Sequence, residues 1–364
     1  MNQIFIYITL TFLTLYAWVG IFIFLGFYLP APQKNLNPEI KFISILIAFR
    51  NEEARLKKCI ESLKKLQYAN DRYEFIFIND HSTDGGAELI QAAQLNNCRV
   101  LDSPGEGKKA AISHGVDRAI GELIVSTDAD CEVPETWLNQ INEAGNSSMI
   151  LGPVKLGPLK NFLHIFQELE WAALQTISAS TALWKKPLMN NGANLSYKKE
   201  AFNETALLKK TASGDDMFLL EDFSQRKLSI QFLWDPKSIV TTEPINSWKE
   251  LFQQKIRWAS KSKHYKNKVN LLLGILIALM NVFVSYHLIN LILYSNTSDI
   301  SLVFLATKMI VDVLLILPYL MLVNRTQLVF MMPIIATLYP FYFLYILMLS
   351  IRGKFVWKER TYHA

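Results

Sequence analysis

The stretch Gly121-Glu-Leu-Ile-Val-Ser-Thr-Asp-Ala-Asp-Cys131 runs from an apolar segment straight into two carboxylates. Residues 123–125 read as a buried strand, and Asp128 and Asp130 fall where that strand meets the surface. An Asp-x-Asp pair at a strand end offers hard oxygen ligands to Mg²⁺ or Mn²⁺ and leaves room for a diphosphate. Acidic pairs in loops are common and most are only solvated, so the flanking segments decide the reading.

Working outward, apolar strands at 42–49, 73–78 and 99–101 alternate with helical patterns at 52–65, about 87–95 and 108–119. In the first helix Leu56, Ile60 and Leu63 keep helical spacing. This alternation predicts an α/β fold with a mostly parallel sheet and ligands at the carboxyl ends of its strands. The polar clusters at those ends are Arg50-Asn-Glu-Glu53, Asn79-Asp-His-Ser-Thr-Asp84 and Asp128-Ala-Asp130. All three line one edge, which favours a single site over three unrelated solvated loops.

At 364 residues with 51% hydrophobic content, the chain has room for one large domain and an apolar excess that lies at its ends. Residues 4–29 carry no charge and are long enough to span a bilayer. The segment lacks a basic start, and Pro30-Ala-Pro32 is a poor cleavage site, so it reads as a retained anchor. Further apolar stretches lie near 269–294, 301–323 and 327–351. The net charge of +5 gathers beside the second of the four stretches, at Lys249, Lys255, Arg257, Lys261, Lys263, Lys266 and Lys268. That position favours anionic headgroups and a cytoplasmic side over nucleic acid. Cys59, Cys98 and Cys131 show no paired or ligand spacing, which suits a reducing compartment. No cysteine or histidine cluster accompanies the acidic pair in this reading, which argues against zinc.

These segments together resemble family 2 glycosyltransferases. Residues 47–53 are similar to the family's opening strand, and Asn79-Asp-His-Ser-Thr-Asp84 to its Asp-Asp-x-Ser-x-Asp segment, with Asn79 in place of the first acid. Gly107-Lys108, Ala119-x-Gly121-Glu122, Asp128-x-Asp130, Asn191-Gly-Ala-Asn194, Asp215-Asp216 and Gln254-Lys-Ile-Arg-Trp258 follow in the family's order. The match covers roughly residues 40–260. It implies a GT-A nucleotide-sugar-binding domain at 38–245, between an anchor at 1–30 and an interfacial helix at 246–268 that carries Gln-x-x-Arg-Trp. About three membrane segments at 269–351 and a basic tail at 352–364 complete the chain.

The resemblance implies roles for particular residues. Glu52 and Asp80 contact the nucleoside of a UDP-sugar, although Asp80 also suits an Asx turn. Lys108 reaches a phosphate, although a surface lysine would fit the same position. Asp130, with Asp128, holds Mg²⁺ or Mn²⁺. Asp216, beside Asp215, is the general base of an inverting transfer, and Ser213-Gly-Asp-Asp216 also suits a helix cap ahead of 217–226. Ser247-Trp-Lys-Glu250 has capping-box spacing; on the helix it starts, Gln254, Arg257 and Trp258 share one face. Gln254 and Arg257 then face the diphosphate, while Trp258 and Asn194 face the acceptor. Trp248, Phe252, Trp258 and Tyr265 equally suit the headgroup level. Residues 161–184 read as a core helix.

The expected activity is sugar transfer from a nucleotide-sugar to a membrane lipid or lipid-linked acceptor, by a multi-pass protein of a bacterial inner membrane with its catalytic domain in the cytoplasm. A processive polysaccharide synthase and an inactive nucleotide-sugar-binding scaffold are the alternatives. Three crossings after the domain would put Arg352, Lys354, Lys358 and Arg360 outside, against the positive-inside tendency. Pro333 and Pro340 make the last stretch a candidate for a re-entrant segment. Lys308 and Asp312, four residues apart in the third stretch, suit a mutually neutralising pair.

Overall fold

The computed structural model describes residues 3–29, 34–35, 38–207, 214–261, 265–293, 299–351, 354–357 and 360–363. Apolar α1 (Gln3–Leu25) precedes the α/β region. There β1 (Ile43–Phe49), α2 (Glu53–Leu63), β2 (Tyr73–Asn79), α3 (Gly86–Ala92), β3 (Cys98–Asp102), α4 (Lys108–Arg118) and β4 (Leu123–Asp128) follow the expected alternation. Next come β5 (Cys131–Glu132), α5 (Trp137–Glu143), β6 (Met149–Leu151), β7 (Val154–Leu156) and α6 (Phe162–Leu183). The region closes with β8 (Leu195–Lys198), α7 (Asp215–Gln225), β9 (Ile230–Phe232) and β10 (Val240–Thr242). Helices α8 (Trp248–Lys261), α9 (Lys268–Leu293), α10 (Asp299–Leu322) and α11 (Met332–Ile351) lead to a hairpin of β11 (Lys354–Trp357) and β12 (Arg360–His363).

The main sheet has the order β3-β2-β1-β4-β8-β6-β9; its first four strands are parallel and β8 runs against both neighbours. A smaller sheet of β5, β10 and β7 stands beside it. Strand β1 is apolar on both faces, as a parallel strand covered on both sides must be. Ile43, Ile45, Ile47 and Phe49 pack with α2 and α5, whereas Leu46 faces the other way and packs with Ile112 and Val116 of α4. Strand β4 continues three residues beyond the expected Val125. Ser126 and Thr127 stay buried in it because the backbone pairs with β1 and the Ser126 hydroxyl donates to the Gly192 carbonyl at 3.1 Å. Helix α6 is a core helix, capped by Asn161, which accepts from the His164 N–H.

Among the described residues, four helices are long and apolar enough to cross a membrane: 3–28, 268–293, 299–322 and 326–350. Pro340 lies inside the continuous α11, and Pro318 lies inside α10. Arg352 and Lys358 lie outside the described residues, as do Lys263 and the Pro30-Ala-Pro32 segment. Lys308 pairs with Asp312 as expected, and Asp312 also accepts from the Tyr16 hydroxyl of α1 at 2.6 Å.

A buried polar junction ties this bundle to the α/β region. Glu168 of α6 is wholly buried and accepts from Arg325 Nη1 at 2.6 Å, from Tyr319 at 3.3 Å and from the Leu156 N–H at 3.1 Å. Arg325 also donates to the Gly157 carbonyl at 3.0 Å, and Tyr319 to the Val154 carbonyl at 3.1 Å. Burial raises the Glu168 pKa, and Arg325 works against that rise. Removing one partner of such a pair strands a charge in a dry interior. Arg325→Met should therefore cost about 3–5 kcal/mol, whereas Lys64→Met, in an exposed pair with Glu61, should cost under about 1 kcal/mol. Thermal unfolding of both variants in detergent checks the contrast.

Candidate active site

Register brings the strand ends together. Ala48 pairs with Asp128 and Phe49 with Asn79, so Glu52, Asp80 and Asp128 follow neighbouring strands at the point where strand order reverses around β1. Asp80 is buried and its Oδ1 accepts from the Gly107 N–H at 2.8 Å. Gly107 has φ +89°, a backbone state that favours glycine, and stands at the N-cap of α4. The turn contact weighed for Asp80 is found at its neighbour Asn79, whose Oδ1 accepts from the Ser82 N–H three residues on at 2.8 Å.

Lys108, the first residue of α4, turns into the cleft rather than to solvent. Its Nζ lies 2.5 Å from Asp128 Oδ1 and 3.7 Å from Asp215 Oδ2. Burial lowers the Lys108 pKa, but Asp128 and Asp215 outweigh it and hold the ammonium well above its usual value. Asp130 has the opposite problem. Burial, then Asp128 and Glu52, push its pKa up to about 6, while Arg55 opposes them. Glu52 is itself paired with Arg55 at 3.2 Å.

Ligand atoms of Asp128, Asp130 and Cys131 lie within 4.8 Å of one another. This corrects the expectation that no cysteine joins the cluster; the sequence already set Cys131 next to Asp130. The Cys131 thiol lies 3.6 Å from Asp130 Oδ1 as a donor, and burial together with the two aspartates raises its pKa. With two carboxylates to one thiol, the donor set is mostly hard oxygen and fits Mg²⁺ or Mn²⁺ better than zinc.

Helix α7 faces this cluster and starts at Asp215, two residues before the expected Met217. Both aspartates thus sit in its first turn, where the helix dipole favours negative charge. Gly214, at φ +98°, is the N-cap, and Ser213 lies outside the described residues. Asp216 Oδ2 accepts from the Gly192 N–H at 3.3 Å and Oδ1 from the Met217 N–H at 2.8 Å. Asn190 Nδ2 donates to the Asp216 carbonyl at 3.1 Å.

Asn194, expected to face the acceptor, turns its side chain into the scaffold rather than the cavity. Its side chain is buried, accepts from Trp137 Nε1 at 2.9 Å, and donates to the carbonyls of Pro153 and Ser238, each at 2.9 Å. A Cβ on Gly152 would stand 2.3 Å from its amide, so that glycine makes room for it. Asn190 and Asn191 line the cleft in its place. Their position before Gly192 was the available signal.

Helix α8 is capped by Ser247, whose hydroxyl accepts from the Glu250 N–H at 3.2 Å. Gln254, Arg257 and Trp258 face the same cavity as Asp128 and Asp216. Burial lowers the Arg257 pKa, and Asp128, Asp216, Asp215 and Asp130 counteract it. One expectation for this helix is corrected. Lys255 and Arg257 turn into the cavity rather than toward headgroups, and Lys255 Nζ pairs with Glu170 of α6 at 2.6 Å. The aromatic rings also pack on protein: Phe252 on Tyr342 and Tyr345, Trp258 on Trp171, Tyr265 on Phe218, and Trp248 on Phe166.

One cavity of about 1330 Å³ joins all of this. It runs from Asp80 and Asp130, past Asp216 and Trp258, to Val19 and Ile23 of α1, Leu273 and Ile277 of α9, Leu315 of α10 and Ile335 of α11.

A mostly parallel sheet with an acidic pair ending its β4 strand, faced by a second pair on a helix, is the GT-A arrangement. The α/β region carries a family 2 glycosyltransferase domain: the family model described as "Glycosyl transferase family 2" matches residues 44–204. A probable glycosyltransferase of Bacillus subtilis is 24% identical over 65% of this chain and 58% of its own length. A beta-monoglucosyldiacylglycerol synthase of Nostoc sp. is 26% identical over 62% of this chain and 50% of its own. The chain thus spans little more than half the length of these relatives. The solved mannosyltransferase of Pyrobaculum calidifontis, in complex with GDP-Man and Mn²⁺, superposes with a TM-score of 0.55 at 15% identity, covering 92% of this chain and 96% of that one. That likeness shows the fold.

Two substitutions separate scaffold from site. Asn194→Ala strands a buried indole N–H and two carbonyls and should cost at least about 2 kcal/mol of stability, visible as a lowered Tm. Asp130→Asn should do the reverse in the absence of metal. A carboxylate whose folded pKa is raised to about 6 destabilises the fold increasingly as pH climbs past its unfolded value. The variant should melt higher than wild type at pH 7.5, and the gap should close by about pH 4.

Proposed function

We propose that the chain is a membrane-anchored, inverting glycosyltransferase that moves a sugar from a UDP-sugar to a membrane lipid or lipid-linked acceptor. The single observation that carries this reading is the cavity linking the acidic strand ends to the apolar helices. In this account Glu52 and Asp80 bind the nucleoside, and Lys108, Gln254 and Arg257 hold the diphosphate. Asp130 and Asp128 would hold a divalent cation, Mg²⁺ or Mn²⁺, which would neutralise charge on the leaving diphosphate. Asp216 takes the proton of the acceptor hydroxyl as that oxygen attacks the anomeric carbon from the face opposite the diphosphate. The bond from that carbon to the phosphate oxygen breaks, and its electron pair leaves with UDP. Asp215 keeps Lys108 close to this centre, and Trp258 against Trp171 forms a flat wall for the sugar ring.

The apolar helices support a multi-pass protein whose site lies on the cytoplasmic side of a bacterial inner membrane, where nucleotide-sugars are available. The similarity to a diacylglycerol-modifying enzyme supports a lipid acceptor, and the Mn²⁺ of the mannosyltransferase complex supports a divalent metal. The Gln254-x-x-Arg257-Trp258 motif also suits a processive polysaccharide synthase; a polymer ladder in place of one sugar per lipid would favour that reading.

Asp216→Asn should lower kcat by about 10²–10⁴-fold, the usual worth of a positioned base, while leaving the Kd for UDP with Mn²⁺ unchanged. Turnover assays paired with calorimetry check this, and near-normal turnover in the variant would contradict the assignment. An inactive scaffold would instead bind UDP-sugar and release no UDP in either form.

A further inference from the structure

We infer that the acceptor is an uncharged lipid alcohol rather than a lipid phosphate, an inference that rests on the proposed transfer and narrows its substrate. Two acceptor chemistries present different demands. A phosphate monoester is already anionic near neutral pH, so its oxygen attacks without a base, but it needs cations to receive about two negative charges. An alcohol is neutral, needs a base to take its proton, and needs no cation.

The cavity meets the second set of demands. Asp216 stands in its wall with its carboxylate oriented by the Gly192 and Met217 amides. Among the described residues lining the cavity beyond Asp216, Lys255 and Lys308 are already matched. Lys255 pairs with Glu170 at 2.6 Å, the two side chains being only 9% and 11% exposed. Lys308 pairs with Asp312, which the Tyr16 hydroxyl also holds. Lys108, between Asp128 and Asp215, and Arg257 are committed to the donor diphosphate in the proposed transfer. Lys249 stands at the exposed rim. An entering dianion would have to break a buried pair and then sit against Asp215 and Asp216, and both steps are costly where water is scarce. A neutral head with apolar chains between α1, α9, α10 and α11 meets neither cost. The balance of the step follows: the alcohol O–H proton passes to Asp216, the alcohol oxygen bonds to the anomeric carbon, and UDP leaves with the electron pair.

The test uses the full chain in phosphatidylcholine vesicles with Mn²⁺ and a panel of radiolabelled UDP-sugars. The vesicles carry either a diacylglycerol or a polyprenyl phosphate at equal mole fraction, and lipid products are separated from polymer. The expected result is label on the diacylglycerol at a rate at least about tenfold above the phosphate, a preference of about 1.4 kcal/mol. Preferred labelling of the polyprenyl phosphate would overturn this inference and leave the lipid-transfer reading standing. Label on neither lipid, or in polymer alone, would overturn both. Glu170→Gln removes the counter-charge of Lys255 and should shift the ratio toward the phosphate by about threefold or more. An unchanged ratio would overturn the charge argument.

Discussion

One ammonium group holds the two halves of the site together. Lys108 Nζ sits between Asp128, at the end of β4, and Asp215, at the start of α7. These carboxylates come from separate parts of the fold and would repel each other across the cleft. Register assembles the first half: β4 pairs with β1 so that Asp128 emerges beside Glu52 and Asp80. The helix dipole and the Gly192 amide steady the second half. Lys108 balances part of the charge between them. Burial, and then the charges of Asp128 and Glu52, raise the Asp130 pKa, and a divalent cation would favour the ionised carboxylates there.

The donor side was legible in the sequence because its determinants are local. Apolar runs of strand length, each followed by polar residues, predict both the sheet and the edge at which Asp80, Asp128 and Asp130 gather. The part that could not be read depends on contacts between distant segments. Asn194 looks like a loop amide in a motif, yet its partner Trp137 lies 57 residues away, and only the packed fold turns its side chain inward. Lys255 reads as one more juxtamembrane lysine because its partner Glu170 sits on another helix. The Glu168–Arg325 junction is invisible for the same reason, since 157 residues separate its members.

That junction gives the cavity its shape. Glu168 and Arg325 join the α/β region to the end of α10, and Tyr319 adds a second hydrogen bond to β7. The apolar helices are thereby fixed against the acidic cluster, so one cavity runs from the strand ends to the helices. The polar pairs within this space, Lys255–Glu170 and Lys308–Asp312, are each neutral as a unit. The acceptor of the proposed transfer would thus meet a surface that is apolar overall and specific in its charges.

The central claim is that one cavity carries donor and lipid together. Electron cryomicroscopy of the chain in lipid nanodiscs with Mn²⁺ and UDP tests it most directly. The account predicts Mn²⁺ at Asp128 and Asp130, the uridine against Asp80, and an acyl chain inside the cavity between α1, α9, α10 and α11. A diphosphate bound elsewhere, or lipid confined to the outer faces of those helices, would contradict it.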